Sequence, residues 1–152
     1  MAERAGKPVT RPSAFWDTSA LVPLCVRQRS TSQAITLYKG YEVVVWWATA
    51  VEIASALARL ARMKQLDSGA WVQARGLAAA LAERWSVVQP SDALRAHATR
   101  LVNQYDLRAA DALQLAAALE WCEKLPQGRV FVTADQALQQ AALVSGFDSK
   151  QL

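Results

Sequence analysis

Little in this chain suits the chemistries most often read from a sequence. It has one histidine, His97, and two cysteines, Cys25 and Cys122. A disulfide framework or a zinc site needs more of both, in CxxC or His clusters that are not present, so the cysteines are expected to be free and buried. A Ser-His-Asp hydrolase would depend on His97, which falls in an Ala-rich helical stretch with no G-x-S-x-G elbow elsewhere. The six glycines form neither G-x-G-x-x-G nor G-x-x-x-x-G-K, which sets aside a dinucleotide-binding unit and a P-loop enzyme. No apolar run approaches about eighteen residues, so no transmembrane helix is expected, and Met1 to Pro8 lacks the apolar stretch of a secretion signal. The expectation is a soluble, cytoplasmic protein with no membrane partner.

What is present is enough for one full core: 152 residues, 53% of them hydrophobic. Residues 1–12 are polar, with Arg4, Lys7 and Arg11 but little apolar periodicity, and are expected to form a flexible basic leader ahead of a single domain over 13–152. The formal charge is +4 and the pI about 9.4. That balance suits a polyanion such as RNA but does not by itself identify one.

From Ser13 the pattern alternates. Apolar strands are expected at Ser13–Trp16, Tyr41–Trp47, Trp85–Gln89 and Arg129–Thr133, with a short edge strand within Phe147–Leu152. Between them helices are expected at Ala20–Val26, Ser32–Tyr38, Thr49–Lys64, Asp67–Arg84, Asp92–Tyr105, Ala109–Lys124 and Gln136–Val144. Such alternation implies an α/β fold, a three-layer α/β/α sandwich with a mainly parallel central sheet, whose ligand sites lie beyond the carboxyl ends of the strands. Trp46 and Trp47, adjacent on a strand, should point to opposite faces, and core packing is preferred for them over base stacking.

Four acids stand out: Asp17, Glu52, Asp111 and Asp135, each in apolar sequence where a strand ends or a helix begins. An isolated carboxylate in such surroundings needs hydrogen bonds, a cationic partner or a metal ion to offset desolvation. Hard oxygen ligands of this kind suit Mg²⁺ or Mn²⁺. Each acid also has a simpler explanation. Asp17 and Asp135 can cap the helices that follow them, Glu52 completes a Thr49-Ala50-Val51-Glu52 capping box, and Asp111 can pair with Arg108 three residues before it. The argument for a site is their convergence, because a parallel sheet gathers such junctions on one edge.

The segments Asp17-Thr18-Ser19-Ala20-Leu21, Glu52-Ile53-Ala54-Ser55-Ala56-Leu57, Leu107-Arg108-Ala109-Ala110-Asp111-Ala112-Leu113-Gln114-Leu115-Ala116 and Val132-Thr133-Ala134-Asp135 resemble the PIN domain, especially the VapC-type toxins of type II toxin-antitoxin pairs. The resemblance implies a metal-dependent endoribonuclease that hydrolyses RNA phosphodiester bonds. Asp17, Glu52, Asp111 and Asp135 would be its catalytic, metal-binding acids, with Mg²⁺ or Mn²⁺ as cofactor. It also implies a cognate antitoxin as partner and a homodimer. Thr18, Ser19 and Thr133 are candidate supporting hydroxyls, and Arg59, Arg62 and Arg108 candidate contacts to the RNA backbone. A PIN-like module that only binds RNA or protein is the alternative, but it would be expected to have lost an acid. A haloacid dehalogenase-type phosphatase needs a second Asp two residues after the first, where Ser19 stands.

Overall fold

The computed structural model describes residues 10–152. Of the expected leader, residues 1–9 lie outside the described residues, while the Arg11 guanidinium pairs with Glu42 at 2.8 Å. Five strands form one sheet: β1 Ser13–Trp16, β2 Glu42–Trp46, β3 Ser86–Val88, β4 Val130–Thr133 and β5 Asp148–Gln151. Their order is β3-β2-β1-β4-β5 and every neighbouring pair is parallel. Seven helices make the connections: α1 Thr18–Cys25, α2 Thr31–Gly40, α3 Thr49–Arg62, α4 Ser68–Ala82, α5 Asp92–Gln104, α6 Ala109–Trp121 and α7 Gln136–Ser145.

Alternate side chains of each inner strand face opposite layers. Phe15, Val44, Trp46 and Phe131 pack with α5, α6 and α7, and Phe15 stacks on Phe131 with ring centroids 5.4 Å apart. Ala14, Trp16, Val43, Val45, Val130 and Val132 pack with α1, α3 and α4 on the other face. With both faces covered, the inner strands read as nearly continuous apolar runs. Each buried Phe or Leu of these layers contributes about 1.5–3 kcal/mol.

Several expected boundaries overran. α3 stops at Arg62 and α6 at Trp121, because Lys64, Glu123 and Lys124 adopt positive φ without being glycine. Gly146 terminates α7 at φ 109°, where a side chain is disfavoured. β2 ends at Trp46, so Trp47 leaves the strand and is 56% exposed, whereas Trp46 joins the core. Core packing therefore holds for Trp46 and not for Trp47. Cys25 and Cys122 are free and buried.

The strand order places a topological switch point between β1 and β4. The chain lays down β2 and β3 on one side of β1, then crosses to build β4 and β5 on the other. Crossovers on opposite sides leave a crevice beyond the carboxyl ends of these two strands.

Candidate functional site

Asp17 directly follows β1 and caps α1, its Oδ1 accepting from the Ser19 amide. Only 3% of it is exposed. Its Oδ2 accepts from the Thr133 hydroxyl at 2.6 Å and the Ser19 hydroxyl at 3.0 Å. Those hydroxyls in turn accept from the amides of Asp135, at 3.0 Å, and Ala134, at 2.8 Å, so the ends of β1 and β4 are joined through one carboxylate. Burial pushes the Asp17 carboxyl up to about 6, against the opposing pull of the Thr133 and Ser19 hydrogen bonds, with the Asp111 charge adding to the rise.

Glu52 lies in the first turn of α3, but the capping box does not form: Ala48 is the N-cap and no side chain bonds the helix start. Its carboxylate turns to the crevice, where Oε2 accepts from the Thr18 hydroxyl at 3.1 Å and Oε1 from the Gln114 amide at 3.3 Å. Burial raises its pKa, the Gln114 and Thr18 bonds oppose this, and the Asp111 charge raises it further. Asp111 sits in the first turn of α6 without forming a salt bridge to Arg108 or any other described residue. Its pKa is raised by burial and by the Asp135 charge, while the Arg108 charge lowers it. Asp135 caps α7, its Oδ1 accepting from the Leu138 amide at 2.7 Å.

All four acids line one cleft of about 940 Å³, together with Thr18, Ser19, Arg59 and Arg108. Thr133 lies beneath, fully buried against Asp17. Arg62 is exposed and does not line the cleft, so the arginine stripe on α3 reaches it only as far as Arg59. Gln114, Gln28 and Asp106 also line the cleft, and none of the three stands out in the sequence. For Gln114 the available signal was an amide in the run Leu113-Gln114-Leu115-Ala116.

Among the described residues, no three Asp, Glu, His or Cys side chains stand close enough to hold one ion. The reason lies in the same contacts: the Asp17 and Glu52 oxygens are engaged by hydroxyls and an amide, and like charges keep the acids apart. The chemistry of the donor set nevertheless fits a hard divalent cation, since the donors are all oxygen. The Asp111 charge raises the pKa of Asp17 and of Glu52, and the Asp135 charge raises that of Asp111. The side-chain oxygen of Gln114 is buried without a hydrogen-bond partner, while its nitrogen faces Glu52.

A family model described as PIN domain matches residues 14–143. The chain belongs to the PIN domain family. The matched span of this PIN domain contains all four acids and both sheet ends that carry them. Comparison with curated proteins found no match. Among solved structures, the PIN domain is similar to a protein from Pyrobaculum aerophilum, with a TM-score of 0.63 and 21% identity over 91% of this chain and 89% of that one. It is also similar to a chain of a toxin-antitoxin complex from Klebsiella pneumoniae, with a TM-score of 0.58 and 19% identity over 81% and 87%. VapBC-1 from nontypeable Haemophilus influenzae gives 0.58 and 15% over 91% and 96%. Identities this low establish the shared fold.

Proposed function

We propose that this PIN domain is a Mg²⁺- or Mn²⁺-dependent endoribonuclease, the toxin of a type II toxin-antitoxin pair, acting through Asp17, Glu52, Asp111 and Asp135. The observation that carries the reading is convergence. Acids from the end of β1, the start of α3, the start of α6 and the end of β4 meet in one cleft at the switch point, with Asp111 electrostatically coupled to the other three. Helix capping explains Asp17 and Asp135 but not Glu52, whose carboxylate turns to the crevice.

The four carboxylates would hold the cation, which when bound lowers the pKa of water and stabilises charge developing on phosphate oxygens. The chain's own groups prepare that role. Thr133 and Ser19 fix the Asp17 carboxylate between two strand ends, and Thr18 fixes one oxygen of Glu52. Arg59 and Arg108, which line the cleft, supply positive charge for the RNA backbone. The VapBC and toxin-antitoxin neighbours support an antitoxin as partner. We place a homodimer beside it as a proposal, to be read from the mass in solution with and without that partner.

The test is cleavage of RNA and single-stranded DNA by the purified protein in Mg²⁺, Mn²⁺ or EDTA, beside Asp111→Asn. Metal-dependent cleavage of RNA that falls by at least about a hundredfold in the variant is expected. Equal background cutting by both proteins, with or without metal, would overturn catalysis in favour of a binding module.

A further inference from the structure

Gln114 lines the cleft, 2% exposed on a helix whose neighbouring residues Leu115, Ala116, Ala117 and Ala118 are core. An amide is costly to bury there unless it is bonded, and leucine would fill the same space without that cost. Its Nε2 lies 3.2 Å from the Thr18 hydroxyl, 3.3 Å from the Thr49 hydroxyl and 3.3 Å from Glu52 Oε1. The carboxylate decides which way the amide faces, because the side-chain oxygen turned towards Glu52 would meet a like partial charge. Thr18 accepts from this amide and donates to Glu52 Oε2 at 3.1 Å. Both carboxylate oxygens are thereby held, one by Gln114 directly and the other through Thr18. Thr49, fully buried, is a third acceptor that shares the two amide hydrogens.

We propose that Gln114 is a positioning residue that sets the orientation in which Glu52 meets a divalent cation. The proposal rests on the metal-dependent reading above and adds to it a residue on α6 acting through an acid on α3. A glutamate in the first turn of a helix has three rotatable bonds and is half-buried, so its ligating direction is undetermined until something fixes it. Outer groups that orient a ligand typically change metal affinity by about 10- to 100-fold. The competing account is that Gln114 merely ties α6 to α1 and α3. That account predicts lost stability without any special link to Glu52.

A double-mutant cycle separates the two. Mn²⁺ binding would be measured by electron paramagnetic resonance on full-length wild type, Gln114→Met, Glu52→Gln and the double variant, with urea unfolding of each in EDTA. Gln114→Met is expected to weaken Mn²⁺ binding about tenfold and to weaken it less than about twofold further once Glu52 is already Gln. An unchanged affinity in Gln114→Met, or the same tenfold loss in the Glu52→Gln background, would overturn the positioning role. If Gln114→Met does not fold, Thr49→Val keeps the side-chain shape, loosens one anchor of the amide and carries the same cycle, with about a threefold loss expected. A wild type that binds no Mn²⁺ overturns the metal-dependent reading and this role with it. Wild-type binding matched by Gln114→Met overturns this role alone.

Discussion

Replacing Asp17 with Asn should make the metal-free protein more stable. A carboxyl whose pKa rises from 3.8 to about 6 on folding opposes folding by about 3 kcal/mol once fully ionised, at about 1.4 kcal/mol per pH unit. The sign follows from which state holds the proton. Below about pH 3.8 both states are protonated and nothing is lost; between 3.8 and about 6 the unfolded chain ionises first and stability falls as pH rises; above about 6 the full cost is in place.

Asn carries no charge and is a good N-cap. It can keep the Ser19 amide bond and donate to the Thr133 and Ser19 hydroxyls, which have lone pairs to accept. A hydroxyl hydrogen that loses its carboxylate acceptor offsets about 1 kcal/mol, leaving a net gain of about 2 kcal/mol at pH 8. For a chain of this length that is a rise of about 4–8 °C in Tm. The assay is thermal and urea unfolding of both proteins in EDTA at pH 8 and pH 4.5, where most of the gain should disappear. Saturating Mg²⁺ should then stabilise wild type and not the variant, narrowing or reversing the order. A variant less stable than wild type at pH 8, or a difference equal at both pH values, would refute the reasoning.

Arg59→Ala should weaken RNA binding and flatten its dependence on log salt concentration by about 0.7, the increment for one single-strand phosphate contact. Arg62→Ala, outside the cleft, should leave that slope unchanged. Gly146→Ala should cost about 1–3 kcal/mol in urea unfolding, because φ is 109° and a Cβ there would come within 3.1 Å of Pro126 and Gln127. At subsaturating Mg²⁺, RNA-cleaving activity should decline as pH falls through about 6, since the proton on Asp17 competes with the cation; a metal requirement unchanged from pH 8 to pH 5 would contradict its assignment.

What was legible in advance follows from range. The inner strands β1, β2 and β4 were visible as apolar runs because a parallel sheet covered on both faces demands them, and junction acids stood out because such a sheet gathers its carboxyl ends. The cap at Asp135 and the glycine end of α7 are local chemistry and were readable locally. Gln114 was not, because its partners Thr18, Thr49 and Glu52 lie 96, 65 and 62 residues away and only the folded sheet reveals them. The same holds for Glu52, whose capping-box pattern is satisfied by sequence but yields to the long-range donors Thr18 and Gln114. Lys64, Glu123 and Lys124 ended helices by a backbone conformation that their residue types do not advertise.

The link between Asp17 and Thr133 spans 116 residues. During synthesis the first acid of the cleft emerges 116 residues ahead of the strand end that completes its surroundings. Until β4 slides in beside β1, Asp17 lacks the Thr133 hydroxyl and Asp135 is not yet beside the cleft. A chain that has not yet supplied β4 therefore lacks the Thr133 and Asp135 side of the cleft.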